Sequence, residues 1–176
     1  MTKLKAKELR ISEPSAKELS QIKRNPIVFV LDEILDTFNV GSMFRLADAV
    51  AAQKIYLCGA MDTPPSSRIH KAAVGTQNWI PWVYKKSAIQ AITELKRHGY
   101  YIIAIEQHPN SIPYDKLKPK FPIALVLGHE TNGISSEVLK TVDTIVELPM
   151  YGINKSFNVW GSAAVVAYKT LESLVS

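Results

Sequence analysis

A chain of 176 residues is long enough for one domain with a sizeable core, and it leaves little room for a second full domain. Hydrophobic residues make up 47% of the chain and charged residues 21%, which excludes a disordered or fibrous protein. No run of about 18 apolar residues and no apolar secretory leader is present, so we expect a cytoplasmic protein without a membrane span. The single cysteine cannot form an internal disulfide, and the four histidines do not have the spacing of metal ligands.

The formal net charge of +5 is concentrated at the N-terminus. Residues 1–24 hold seven basic residues and three glutamates, a net of +4, which leaves +1 for the rest of the chain. Because lysine and arginine displace counterions from phosphates, we predict that residues 1–25 form a basic arm that contacts a polyanion. Pro14 can open a short helix in this arm that runs through Arg24. From charge alone, a solvated leader without a partner is the alternative.

Residues 26–176 are predicted to form one α/β domain, a mostly parallel sheet with helices on both faces, because apolar runs alternate with amphipathic segments. Several runs are continuously apolar, as strands buried on both faces should be. The predicted strands are 27–31, 54–58, 80–84, 100–106, 123–127 and 144–148. The predicted helices are 39–51, 66–73, 87–98, a short one after Ser135, and 158–174. Residues 107–122 are predicted to be a loop.

The first segment that could carry chemistry is Asn39-Val40-Gly41-Ser42-Met43-Phe44-Arg45, after the first strand. On a helix, Gly41, Arg45 and Asp48 would share the face opposite the apolar residues, and Gly41 would admit another chain closely. Arg45 could then hold a phosphate or a carboxylate through two hydrogen bonds. The alternative is a surface helix with Asn39 as its N-cap and a weak ion pair between Arg45 and Asp48.

The second segment, Leu127-Gly128-His129-Glu130-Thr131-Asn132-Gly133, follows a strand that is predicted to be buried. Its two glycines permit a tight turn whose main-chain groups can line a ligand, and a plain turn is the alternative. Glu130 could accept hydrogen bonds from an amine or a hydroxyl, or it could brace the loop. Adjacent loop residues usually point apart, which argues against His129 and Glu130 as an acid–base pair.

The third segment, from Leu148 to Val159, joins a strand to the long final helix through a polar loop. It brings Ser156 and Asn158 to the start of that helix, where helix capping is the alternative role for both side chains. All three segments follow predicted strand ends, and open α/β sheets bind their ligands at that edge.

In order and content, these segments resemble the three motifs of the SpoU (TrmH-like) family of the SPOUT superfamily. The first motif, N-x-G-x-x-x-R, is matched by Asn39, Gly41 and Arg45. The second, L-G-x-E-x-x-G, is matched by Leu127, Gly128, Glu130 and Gly133. The third, P-M and then S-L-N-V after an aliphatic residue, is matched by Leu148, Pro149, Met150, Ser156, Phe157, Asn158 and Val159. Phe157 replaces the usual leucine, and Trp160 and Gly161 follow where the family has a serine, so details of the cofactor pocket can differ.

The resemblance implies an S-adenosylmethionine-dependent RNA ribose 2′-O-methyltransferase that is a metal-independent homodimer with a C-terminal trefoil knot. It implies that six residues border the cofactor: Leu127, Gly128, Leu148, Met150, Phe157 and Asn158. It also places Arg45 at the methyl-transfer site, with Asn39, Glu130 and Ser156 positioning this arginine or the RNA. Because a guanidinium rarely deprotonates, an RNA phosphate or water could accept the proton from the ribose hydroxyl instead of Arg45.

The chain lacks the large N-terminal RNA-binding domain of some ribosomal RNA members, which favours transfer RNA over ribosomal RNA as the partner. One alternative is a noncatalytic RNA-binding protein on the same scaffold, and another is a flavodoxin-like nucleotide binder with an unknotted sheet. The joint presence of Asn39, Arg45, Glu130, Ser156 and Asn158 favours the enzyme, because RNA binding alone would not require that set.

Overall fold

A computed structural model of the chain describes residues 13–175, in which seven parallel strands form one sheet. The strands are β1 Asn25–Asp32, β2 Ala52–Cys58, β3 Trp82–Lys85, β4 Tyr101–Ile105, β5 Ile112–Pro113, β6 Ile123–Leu127 and β7 Thr144–Glu147. Their order across the sheet is β3-β2-β1-β6-β4-β7-β5. The predicted α/β class with a parallel sheet is confirmed, and the trefoil knot stays a prediction. The strand order differs from the flavodoxin-like order 2-1-3-4-5, which argues against the nucleotide-binder alternative.

Helices cover both faces of the sheet. They are α1 Ala16–Gln21, α2 Thr37–Ala49, α3 Ser67–Ala73, α4 Ala88–Arg97, α5 Ser136–Leu139 and α6 Val159–Val175. One core layer contains apolar residues of α2, α3 and α6, and the other contains those of α4 and α5. In β1, Phe29 packs into the first layer and Val28 into the second, which is why this strand reads as a continuous apolar run. No helix among the described residues is long and apolar enough to cross a bilayer.

Two details of the strand prediction were wrong. The predicted loop 107–122 contains β5, a two-residue edge strand in which Ile112 pairs with Val146. Proline is tolerated at such an edge, so Pro113 does not prevent the pairing. The strand predicted to begin at Ile80 begins at Trp82, because a short 3-10 helix over Thr76–Asn78 precedes it and Ile80 donates its N–H to the Thr76 carbonyl oxygen of that helix (3.0 Å).

The described part of the N-terminal arm is attached to the domain by hydrogen bonds, and helix α1 buries none of its residues. Helix α1 begins with a capping box between Ser15 and Glu18, and it ends at Gln21, three residues before the predicted end at Arg24. Beyond the helix the chain becomes extended, and the Arg24 guanidinium donates to the carbonyl oxygens of Ala52 (3.0 Å) and Trp79 (3.1 Å). Residues 1–12 of the arm lie outside the described residues.

Candidate active site

The carboxyl ends of three neighbouring strands, β6, β4 and β7, open onto one cavity of about 510 Å³. Its walls come from the ends of these strands and the loops that follow, within residues 105–107 for β4, 127–133 for β6 and 147–159 for β7. Asn39 of α2 and Ser162 of α6 complete the lining. The cavity therefore lies at the edge of the sheet where the sequence placed its candidate segments.

Nine of the ten predicted site residues line this cavity: Asn39, Leu127, Gly128, Glu130, Leu148, Met150, Ser156, Phe157 and Asn158. Arg45 does not. It follows Asn39 by six residues on α2, which places it about 9 Å further along the helix axis and about 120° around it. Arg45 is exposed and makes no hydrogen bond or ion pair with the residues that the structure describes.

The carboxylate of Glu130 fixes the chain segment that enters α2. It accepts hydrogen bonds from Asn39 Nδ2 (2.9 Å) and from the main-chain N–H groups of Asp36 (3.1 Å) and Leu35 (3.2 Å). Burial favours the neutral form of this carboxyl group, but the hydrogen bonds outweigh it, and the pKa of Glu130 lies below its ordinary value. Glu130 is thus an ionised brace, which agrees with one of the two roles considered for it.

The two asparagines extend this network to the start of α6. Asn158 donates from Nδ2 to Asn39 Oδ1 (3.1 Å), and its Oδ1 accepts the N–H of Trp160 (3.0 Å). Asn158 therefore caps α6, as the alternative role proposed, and also contacts the first segment. The hydroxyl of Ser156 has no hydrogen-bond partner among residues 13–175 and faces the cavity, so the capping role is wrong for Ser156.

The alternative reading of α2 was also wrong. The N-cap is Asp36, whose carboxylate accepts the N–H of Phe38 (2.9 Å). Asn39 lies inside the helix, where its amide group binds Glu130 and Asn158. Asp48 accepts a hydrogen bond from Trp79 Nε1 (2.7 Å) and forms no ion pair with Arg45.

The loop after β6 closes tightly because two glycines face each other. A Cβ on Gly128 would lie 2.5 Å from the carbonyl oxygen of Gly133 and 2.5 Å from the nitrogen of Ile134, so only glycine fits at position 128. The Gly133 N–H donates to the His129 carbonyl oxygen (2.8 Å), and His129 Nδ1 accepts the N–H of Thr131 (2.9 Å). The imidazole of His129 thus stabilises the turn in which it lies, which argues against an acid–base pair with Glu130.

The sequence prediction missed two residues that connect the cavity loops, Glu106 and Gln107. The Glu106 carboxylate accepts the N–H of Ile134 (2.8 Å), and Gln107 Nε2 donates to the Lys155 carbonyl oxygen (2.7 Å). The available signal was a pair of polar residues directly after an apolar strand.

The cavity combines apolar walls with an excess of negative charge. Ile105, Leu127, Leu148 and Val159 supply apolar surface, whereas Glu106, Glu130 and Glu147 oppose a single lysine, Lys155. This lining suits a ligand with an apolar part and a positive charge. Among the described residues, no group of three His, Cys, Asp or Glu side chains is placed to hold a metal ion. Trp160, where the sequence departs from the family pattern, does not line the cavity.

A parallel sheet whose carboxyl-edge loops enclose such a cavity defines an α/β protein with a small-molecule site. Residues 26–168 match the model of the SpoU rRNA Methylase family, and the chain belongs to that family. The resemblance predicted from the three motifs is therefore confirmed.

Two curated relatives act on different RNAs. A tRNA (guanosine(18)-2′-O)-methyltransferase of Borreliella burgdorferi is 29% identical over 153 residues, which cover 87% of this chain and 69% of that protein. The 23S rRNA (guanosine-2′-O-)-methyltransferase RlmB of Ralstonia nicotianae is 28% identical over 153 residues, which cover 87% of this chain and 61% of that protein. The chain thus spans less than two thirds of the ribosomal RNA relative.

Two solved structures share the fold. The TrmH/SpoU tRNA modifying enzyme of A. aeolicus superposes with a TM-score of 0.79 at 23% identity, over 89% of this chain and 82% of that one. An AdoMet-bound rRNA methyltransferase from Sinorhizobium meliloti superposes with a TM-score of 0.78 at 22% identity, over 88% of this chain and 59% of that one.

Proposed function

We propose that this chain is an S-adenosylmethionine-dependent RNA ribose 2′-O-methyltransferase that works as a homodimer and prefers transfer RNA to ribosomal RNA. The observation that carries the proposal is the joining of Glu130, Asn39 and Asn158, from three separate segments, beside one cavity at the carboxyl edge of the sheet. The named activities of the two curated relatives support the reaction.

The residues around the cavity fit the proposed cofactor. A volume of about 510 Å³ is within the range of small-molecule sites. Leu127 and Leu148 offer apolar surface to an adenine ring, and the carboxylate of Glu147 complements a positively charged ligand. When bound, S-adenosylmethionine supplies an electrophilic methyl group on a sulfonium centre.

The residues of the chain orient the RNA so that its ribose 2′ hydroxyl can lose a proton. The network of Glu130, Asn39 and Asn158 holds the cavity wall in place, and the Ser156 hydroxyl remains available to a ribose. Arg45 binds an RNA phosphate through its guanidinium. Because a guanidinium rarely deprotonates, the 2′ hydroxyl gives its proton to the phosphate or to water.

The position of Arg45 supports a homodimer in which each site uses both chains. Arg45 does not line the cavity of its own chain, so the role proposed for it at the methyl-transfer site requires the cavity of a partner chain. The segment beside the cavity also exposes apolar side chains that a second copy would cover. Tyr151 is 96% exposed and Ile153 is 99% exposed.

The direct test incubates the protein with methyl-labelled S-adenosylmethionine and with small RNA or ribosomal RNA from a source that lacks the protein. Nucleoside analysis should find the label in a 2′-O-methylnucleoside of transfer RNA. Label on a base, or failure to bind the cofactor, would contradict the proposed reaction, and the second result would favour the noncatalytic RNA-binding alternative. Label in ribosomal RNA alone would contradict only the proposed preference.

Mixing two inactive variants tests the shared site. Arg45→Ala and Asn158→Ala homodimers should each lose methyl transfer, and Arg45→Ala should still bind S-adenosylmethionine. Coexpression should restore about a quarter of wild-type activity, because random pairing leaves one intact site in each heterodimer. Arg97→Ala, an exposed arginine in the last turn of α4, is the control and should remain active. No restoration would mean that Arg45 does not act across the dimer.

A further inference from the structure

Glu106 lies directly after β4, in none of the three family segments, and it is packed between two of the cavity loops. Its Oε2 accepts the N–H of Ile134 (2.8 Å) and its Oε1 accepts the N–H of Gln107 (3.0 Å). Gly133 has a positive φ of 65°, and a Cβ there would collide with the Glu106 carboxylate. One of the glycines in the loop after β6 therefore makes room for this carboxylate.

The hydrogen bonds to Glu106 leave some acceptor positions of its carboxylate unoccupied. An ionised carboxylate offers about four acceptor positions, two on each oxygen. One position on each oxygen is occupied by a main-chain N–H, so each oxygen keeps one position free. No lysine or arginine among the described residues forms an ion pair with Glu106, which lines the cavity.

Two neighbouring acceptors match a ligand with two neighbouring donors, and a vicinal diol is such a ligand. Strand β4 pairs with β6, which ends in the tight turn at Gly128. In dinucleotide-binding sheets, an acidic side chain near the glycine-rich turn accepts hydrogen bonds from a ribose. The ammonium group of an amino acid presents its donors from a single nitrogen and fits this arrangement less well.

We infer that Glu106 binds the two ribose hydroxyls of the adenosine part of the cofactor and selects a ribonucleoside over its deoxy analogues. This inference rests on the proposed function, because it assumes that the cavity holds S-adenosylmethionine. It adds a specificity-determining side chain outside the three segments that the sequence singled out. Main-chain donors fix the orientation of the carboxylate, so the selection needs no rearrangement on binding.

Calorimetric binding of S-adenosylhomocysteine and of its 2′-deoxy and 3′-deoxy analogues tests the inference without any methyl transfer. The wild-type protein should bind each deoxy analogue roughly 10- to 100-fold more weakly than the parent compound, because one hydrogen bond to a charged group is lost. In Glu106→Gln this preference should fall to a few-fold. If the role of Glu106 is purely structural, Glu106→Gln should bind all three ligands more weakly by the same factor. The preference for the ribose compound would then be unchanged, which would overturn the inference.

Glu147→Gln is the matched control, because it removes the same charge from the same cavity. It should retain the preference for the ribose compound, and loss of the preference in Glu147→Gln instead would overturn the assignment to Glu106. 5′-Methylthioadenosine, which has no amino-acid part, should also bind Glu106→Gln more weakly than wild type. An unchanged affinity for this compound would mean that Glu106 contacts the ammonium group. A wild-type protein that binds none of these ligands would contradict the proposed function itself, whereas the other outcomes concern only the role of Glu106.

Discussion

At the scale of single residues, Glu130 joins parts of the chain that are distant in sequence. Its carboxylate accepts hydrogen bonds from Asn39 and from the main chain of Leu35 and Asp36. A glutamine would offer one acceptor oxygen and place an N–H group where the second oxygen accepts. Removal of the charge should therefore loosen the start of α2 and one wall of the cavity together.

We predict that Glu130→Gln lowers the free energy of unfolding near pH 7 by about 1–3 kcal/mol. The folded pKa of Glu130 lies below its ordinary value of 4.5, so its ionic contribution is fully present above that value. The contribution is lost as the pH falls through the folded pKa, and the difference from wild type should shrink accordingly. Urea unfolding at several pH values measures this. An equal change in Glu137→Gln, an exposed carboxylate on α5, would contradict the assignment.

Asp32 shows the opposite electrostatic effect at the end of β1. Burial, followed by the nearby charge of Glu33, raises the pKa of Asp32 from 3.8 to about 6. The folded protein therefore binds the proton more tightly than the unfolded chain, and stability falls as the pH rises from about 4 to about 6. Above that window, the ionised carboxylate remains a cost to the fold.

We predict that Asp32→Asn raises the free energy of unfolding near pH 8 by about 1–2 kcal/mol, a value reduced to allow for the water-exposed part of the side chain. The gain should disappear below the unfolded pKa of 3.8. Urea titrations at both ends of this range provide the comparison, with Asp62→Asn, an exposed carboxylate, as control. A gain that is independent of pH would rule out the electrostatic cause.

At the scale of elements, helices α2 and α3 approach closely at Gly41. A Cβ at this position would lie 2.5 Å from the Ala72 Cβ and 2.8 Å from the Ala73 nitrogen. The close approach expected at Gly41 thus occurs within the chain, between its own helices. Gly41, Arg45 and Asp48 share one helix face as predicted, and Arg45 stays exposed because α3 and Trp79 cover only the two ends of that face.

We predict that Gly41→Ala destabilises the fold, although alanine favours a helix by about 0.8–1.0 kcal/mol. Overpacking against α3 should cost about 1–3 kcal/mol and outweigh that gain. Thermal unfolding measures the net effect. Gly152→Ala, where the added Cβ meets nothing within 4 Å, should be nearly neutral. A more stable Gly41→Ala protein would show that α3 moves aside at little cost.

The sequence predicted the sheet well because its strands are buried on both faces and read as apolar runs. It missed β5, because a strand of two residues is too short to show an alternating pattern. It also missed the Asp36 cap, because Asp36, Thr37 and Asn39 are all residue types that cap helices. The site residues could be found where a segment follows a strand and resembles a family motif. Glu106 and Gln107 belong to no motif, so only the folded loops reveal their contacts.

At the scale of the whole molecule, the predicted basic arm divides into two parts. Residues 13–24 are attached to the domain through Arg24, whose guanidinium binds the carbonyl oxygens of Ala52 and Trp79. Lys3, Lys5, Lys7 and Arg10 precede this attachment, with Glu8 as the one acidic residue among them. A deletion that tests RNA contact should therefore stop before Glu13 and leave the attached part intact.

We predict that deleting residues 1–12 weakens RNA binding and flattens its salt dependence. Each phosphate contact that is lost should reduce the slope of log affinity against log salt by about 0.7–0.9. Replacing the four basic residues by glutamine in the full chain should give the same change in slope, whereas deleting residues 1–24 should also lower stability. Binding measured across a salt series distinguishes these cases. An unchanged slope would mean that the arm is a solvated leader.

The central position of β1 also determines when the molecule can fold during synthesis. One edge of β1 pairs with β2, which follows soon after it, but Ile27 on the other edge pairs with Ile123. While the ribosome makes the intervening chain, an apolar strand edge of this kind is open to pairing with other molecules. Every cavity wall except Asn39 and residues 105–107 lies at or beyond Leu127. A nascent chain therefore gains its protected edge and its binding site in the same late step.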